Sequence, residues 1–226
     1  MSEGKNGFLS QIWWCITSPR KAFESIRGED LWKGVILILL LASLSAWAGL
    51  GYASKLDIKP PELSRSSRFM RPGGAIDVEV FRRNVMTFYA LREGLRVTAG
   101  WLISSVLLHL FASLLAGNGS LRRTFALTGF ASIPLLFQQI LRLLDAYSIP
   151  RGEVSSLIAA RVLGLSLAMR LLSGLIAVFT IFGLWTFALT VVTVSINYKS
   201  SRTRAAAATA AAYLLFIAVR LFLPLL

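Results

Sequence analysis

Three side chains in this 226-residue sequence combine chemical capability with an apolar setting: His109, Gln138 and Gln139. His109 is the sole histidine and falls inside the uncharged run between Arg96 and Arg122. An imidazole at bilayer depth could relay a proton or hold a ligand, because a polar group there is costly unless it has a partner. One histidine cannot complete a zinc site, and no carboxylate shares its helical face. The simpler expectation is a hydrogen bond to Ser or Thr on a neighbouring helix. Gln138 and Gln139 follow Pro134, whose ring removes one backbone donor and frees a carbonyl, so a kink is expected near Ile133. Broken helices line midplane sites in transporters. Helix–helix packing explains the same residues and is the reading preferred. There is no His-Glu-x-x-His, no Gly-x-Ser-x-Gly and no glycine-rich phosphate loop. Cys15 is the single cysteine, which excludes an intrachain disulfide and a multi-cysteine metal site. No catalytic, cofactor-binding or metal residue is therefore expected, and no enzyme.

The elements that position these groups are long apolar runs fenced by Lys or Arg. They lie between Lys33 and Lys55, Arg96 and Arg122, Arg123 and Arg142, Arg170 and Lys199, and from Arg204 towards the C-terminus, with Arg220 near its end. A bilayer core about 30 Å thick takes about 20 residues at 1.5 Å rise, and only structures that satisfy their own amides cross it. The expected fold is thus all-α: an integral membrane bundle of five transmembrane helices at about 34–53, 97–116, 124–144, 172–196 and 205–226. Residues 1–33 form an N-terminal interfacial segment, 34–226 the transmembrane domain, and 55–78 a polar loop. The stretch 154–169, interrupted by Arg161, reads as interfacial, with a sixth crossing as the alternative. Arg122-Arg123 read as the short connection of a helical hairpin.

The sequence carries 24 basic and 11 acidic residues, net +13, with 55% hydrophobic residues. The basic residues sit beside apolar runs, where they meet headgroups and set topology, and no basic stripe with interleaved aromatics marks a nucleic-acid surface. In the N-terminal segment Phe8, Leu9, Ile12, Trp13 and Ile16 follow helical spacing, and Ser18-Pro19 reads as an N-cap with proline at the first helical position. Arg20, Lys21 and Arg27 stay polar. Two short amphipathic helices on the membrane surface are expected, binding through Phe8, Ile12, Trp13, Arg20 and Lys21; packing against the bundle is the alternative. Within the first span, Ser45 and Gly49 would let a second helix approach closely.

Several segments, in order, resemble the Ypt-interacting-protein (Yip) domain family. They are Ile12-Trp13, Ser18-Pro19-Arg20-Lys21-Ala22-Phe23 and Leu31-Trp32 before the first span, Phe125-Ala126 to Gly129-Phe130 and Ile133-Pro134-Leu135 in the third, and Phe182-Gly183-Leu184-Trp185-Thr186 in the fourth. The Asp-Leu-Tyr-Gly-Pro motif of eukaryotic members, which associate with Rab-type GTPases, is absent, so the resemblance is to the prokaryotic type. It implies a five-span protein of the cell membrane with its N-terminus cytoplasmic. The function expected is membrane-organising or scaffolding, with the lipid bilayer and its anionic headgroups as partner and with other membrane proteins or self-association possible; no cofactor and no nucleic acid are expected. The alternative is a small transporter or channel-like component with a polar path near His109, Pro134 and Gln138.

Overall fold

The computed structural model describes residues 7–55, 78–148 and 180–222, and every regular element among them is helical. In chain order these are α1 (Phe8–Thr17), α2 (Pro19–Ser25), a short 3-10 turn (Gly28–Asp30), α3 (Leu31–Ala53), α4 (Val78–Leu115), α5 (Leu121–Ala131), α6 (Ile133–Ser148), α7 (Ile181–Asn197) and α8 (Arg202–Phe222). By length and composition α3, α4, the α5–α6 pair and α8 can each cross a membrane, whereas the described part of α7 is a shorter apolar helix. The expected readings of the 55–78 loop beyond Lys55, of 154–169 and of the ends of the last two spans lie outside the described residues.

Local chemistry sets the boundaries. Pro19 opens α2, as its fixed φ allows, but Ser18 makes no side-chain cap bond there, contrary to the expected N-cap. Asp30 Oδ2 accepts the Arg27 amide at 2.9 Å, closing the turn that leads into α3. At the other end of α4, Gly117 takes φ +114, a left-handed conformation suited to glycine, and its amide returns to Ala112 O at 3.1 Å. Ser120 then caps α5 through the Arg123 amide. Arg122 and Arg123 are therefore already helical. The connection is Ala116–Ser120, one glycine-containing turn earlier than the basic pair suggests.

The break between α5 and α6 falls at Ser132, two residues before Pro134. Pro134 has no amide to offer the carbonyl of Phe130, so the ladder is interrupted there. Ser132 Oγ donates to Thr128 O at 2.9 Å, and the Leu135 amide bonds back to Ser132 O. The expected kink near Ile133 is present at this point.

Two apolar clusters hold the bundle. The first joins Cys15, Phe23 and Ile26 of the N-terminal segment to Leu37 of α3, Leu127 and Phe130 of α5, Ile133 of α6 and Leu189 of α7. The second packs Leu108, Ala112 and Ala116 against Val194, Tyr198, Ala205, Ala208 and Ala212. The alanine run of α8 thus serves close packing, which in lipid depends on small side chains because apolar surface gains nothing by leaving apolar solvent. The tightest crossing is α3 on α5. A β-carbon on Gly34 would stand 2.8 Å from Ala126 O, and one on Gly129 would stand 2.6 Å from Gly34 Cα. Ser45 and Gly49 are both buried, and Gly49 lies against Tyr89 and Glu93 of α4, so the small-residue face of α3 does receive a neighbouring helix.

Candidate functional site

The N-terminal segment is built onto the bundle as a platform. Arg123 of α5 donates Nε to Ile26 O at 3.0 Å and Nη2 to Phe23 O at 3.2 Å, engaging carbonyls near the end of α2. Lys33 bridges Asp30 at 2.6 Å and Gln11 Oε1 at 3.0 Å, tying α1 to the start of α3. These bonds divide the expected apolar face of α1 in two. Phe8, Ile12 and Ile16 pack on the core, with Phe8 edge-on to Phe130 at 6.0 Å. Leu9 and Trp13, at 78% and 63% exposure, face outward, as does Trp32. Arg20 is exposed and pairs with Glu24 at 2.8 Å, and the Lys21 ammonium sits 4.3 Å from the Trp14 ring centroid. Beside the platform a shallow cleft of about 470 Å³ is lined by Glu29, Trp32, Val35, Ile36 and Arg122. It is apolar along α3 and carries an acid and a base at its mouth. Cys15 is fully buried, and burial pushes its thiol up to about 12.

Beneath the platform a chain of neutral groups joins two turns. His109 Nδ1 is hydrogen-bonded to the Tyr198 hydroxyl. That hydroxyl lies 3.1 Å from Thr124 Oγ1, and Asn197 Nδ2 donates to Thr124 Oγ1 at 3.0 Å and to Ser120 O at 3.1 Å. The Tyr198 ring presses on Gly119, where a β-carbon would come within 2.6 Å of it. The α4–α5 turn, the α7–α8 turn and the platform therefore gather at one end of the molecule. His109 finds a hydroxyl, as expected, but from a tyrosine rather than a Ser or Thr. It lies six residues before Leu115, the last residue of α4.

The far end collects Tyr52, Arg82, Arg142 and Tyr147. Arg82 Nη2 donates to Ser54 O at 2.9 Å, Tyr52 OH to Asp145 Oδ2 at 2.6 Å, and Trp47 Nε1 to Tyr147 OH at 2.9 Å. Gln139 is buried here and accepts from Arg142 Nη1 at 3.2 Å. Gln138 is half-buried and has no hydrogen bond among the described residues. Pro134 is fully buried. The structure does not bring His109 and Gln139 together: they serve polar clusters at different depths. Trp185 stacks on Phe137 at 6.3 Å.

Sequence reasoning missed Tyr198 and Arg123 as organising residues. Tyr198 is followed directly by a basic turn and Arg123 sits in a basic pair, so both read as boundary markers. Glycines 117 and 119 around the partner turn were the available signal, since closely spaced glycines mark a close approach of backbone to something large. Among the described residues no three His, Cys, Asp or Glu side chains come together as a metal site would need.

Long apolar helices with aromatic and basic residues at their ends, glycine-mediated crossings and outward-facing leucines define an integral membrane protein of the helical class. The chain belongs to the Yip1 domain family, whose family model matches residues 13–223, nearly its whole length. No curated protein and no solved structure matches it.

Proposed function

We propose that this is a non-enzymatic membrane-organising protein of the cell membrane, with five crossings and a cytoplasmic N-terminus, acting through its platform on anionic headgroups and neighbouring membrane proteins. The observation that carries this reading is the clamping of the platform by Arg123 and Lys33, which leaves Leu9 and Trp13 exposed on a fixed support. A large apolar pair held at the membrane boundary inserts among headgroups without first paying to order itself, and each basic residue near an anionic surface adds about 1 kcal/mol at low salt. The separation of His109 from Gln139 supports this reading over a transport path. The platform, the 116–120 turn and the 198–201 turn share one end, and each short turn leads into a helix that opens with two arginines in its first turn, the arrangement that positive-inside sorting favours for the cytoplasm.

The test is reconstitution of the full chain into vesicles of phosphatidylcholine with or without phosphatidylglycerol, using brominated lipids to quench tryptophan. Quenching assigned to Trp13, by difference from Trp13→Phe, should deepen with phosphatidylglycerol and weaken as salt rises. Leu9→Glu with Trp13→Glu should abolish the platform's effect on vesicle shape or clustering while the bundle still inserts. A Trp13 untouched by lipid bromine sinks the reading.

A further inference from the structure

The end of the bundle opposite the platform carries charges that the organising role does not use. Glu93 Oε2 accepts from Arg96 Nη2 at 2.6 Å and lies 3.9 Å from Arg142 Nη2 of α6. Both arginine side chains are largely withdrawn, at 27% and 30% exposure. Arg220, in the last turn of α8, interacts electrostatically with Glu93 and Arg142 but makes no hydrogen bond or ion pair among the described residues. Among the described residues three guanidiniums therefore lie within reach of the charge on one carboxylate, leaving two positive charges over. The next acid along α6, Asp145, is exposed and already accepts the Tyr52 hydroxyl.

Such an excess is costly in low dielectric unless an anion joins it. A guanidinium has five donors in a planar fork, and Arg96 and Arg142 each spend only part of theirs on Glu93 and Gln139. The free donors suit a tetrahedral oxyanion better than a carboxylate, since several forks can share its oxygens. Position identifies the source. Arg96 is about 20 residues from Ala116, so it sits roughly 30 Å along α4 from the platform end, at the level of the opposite headgroups. Leu102 and Val106, exposed on the same helix on the bilayer side of Arg96, offer a track for acyl chains. We propose that Arg96, Arg142 and Arg220 bind a phosphate oxyanion, supplied by the headgroup of an anionic phospholipid in the leaflet opposite the platform. The site shares no residue with the platform, so it stands or falls separately from the organising role.

The experiment titrates purified full-length protein in detergent with short-chain phosphatidylglycerol, short-chain phosphatidylcholine or inorganic phosphate, reading adducts by native mass spectrometry and the melting temperature alongside. Phosphatidylglycerol should add one tightly held lipid per chain and raise the melting temperature, and phosphatidylcholine should do neither. Arg220→Gln should weaken that lipid about tenfold, the size of one lost charge-assisted contact, while leaving the lipid-free melting temperature unchanged because Arg220 makes no hydrogen bond or ion pair among the described residues. Arg204→Gln, in the first turn of α8 at the other end, should change nothing. Inorganic phosphate acting as well as the lipid, with the same dependence on Arg220, keeps the oxyanion site and makes its occupant free phosphate. Equal retention of both lipids, full affinity in both Arg220→Gln and Arg142→Gln, or an equal loss in Arg204→Gln overturns the assignment.

Discussion

At the platform end Tyr198, Thr124, Asn197 and Ser120 exchange hydrogen bonds among neutral groups, and Arg123 is spent on backbone carbonyls. At the far end Arg96 and Arg142 gather on the Glu93 carboxylate, and Arg220 stands within reach of its charge. Both ends are polar, yet they differ in what they leave over. At the neutral end Tyr198, Thr124, Asn197 and Ser120 are matched to one another, and glycines admit the matching parts closely, which fixes one geometry. The charged end has, among the described residues, surplus donors around Glu93, which fits a site completed by something outside the chain. Polar residues at a span boundary therefore divide by whether their hydrogen-bond accounts close, rather than by their polarity.

The sharpest way to break the closed end is to part the helices that carry it. Gly129→Leu puts a side chain where even a β-carbon meets Gly34 backbone at 2.6 Å. Neither backbone can yield without shifting α3 from α5, so a loss of about 3 kcal/mol, the upper range for overpacking, is expected. Size-exclusion and thermal melting in detergent should show aggregated or much less stable protein. Gly94→Ala, whose new β-carbon would make only ordinary contacts at 3.7 Å and beyond, should be tolerated. A Gly129→Leu protein with unchanged melting would mean that the crossing is not needed.

A subtler cut removes one oxygen. Tyr198→Phe keeps the ring against Gly119 but deletes the hydroxyl between His109 and Thr124. Interhelical hydrogen bonds in membrane proteins average about 0.6 kcal/mol and reach about 1.7. A loss of about 1.5 kcal/mol is expected here, since two partners are left unmatched. The same measurement on Arg220→Gln without lipid should show no loss. Equal destabilisation by both variants would erase the distinction between the ends.

How much of this was legible beforehand follows from the same physics. The spans and their charged fences were readable because lipid imposes one rule on every residue it touches. The break at Ser132 was readable because proline acts on its own helix, and the family pattern around Gly129 and Pro134 pointed to the right segment. The division of α1 into a buried and an exposed apolar stripe was not, because one hydrophobic periodicity serves bundle and lipid alike. Arg122 and Arg123 read as a loop because charge was taken to mark the connection, whereas Gly117 and Ser120 set the helix ends. The far-end charges lie on α4, α6 and α8, so Glu93, Arg142 and Arg220 become neighbours only in three dimensions.

Cys15 offers a smaller test within the closed end. Its thiol is buried and pushed up to about 12, against an ordinary 9.0. The raised value means that the protonated thiol suits the folded state. Its contribution is complete below about pH 9 and is lost as pH rises towards about 12. Maleimide should leave the native protein unlabelled at pH 7 to 8 and react once with the unfolded chain. Prompt native labelling would show that the platform lifts off the bundle.

The finest comparison is between two adjacent glutamines. Gln139 is buried and accepts from Arg142, whereas Gln138 is half-buried and has no bond among the described residues. Gln139→Leu should cost about 0.6 kcal/mol, the typical value for a bond at this depth, and should free the second half of the Arg142 fork. Gln138→Leu should cost nothing measurable. If the far end is an anion site, Gln139→Leu should hold phosphatidylglycerol at least as well as wild type, because a released Nη1 can turn to the phosphate. If instead Gln139 is what fixes Arg142 in place, lipid affinity should fall with stability. Measuring both in one variant separates a guanidinium that is occupied from one that is being aimed.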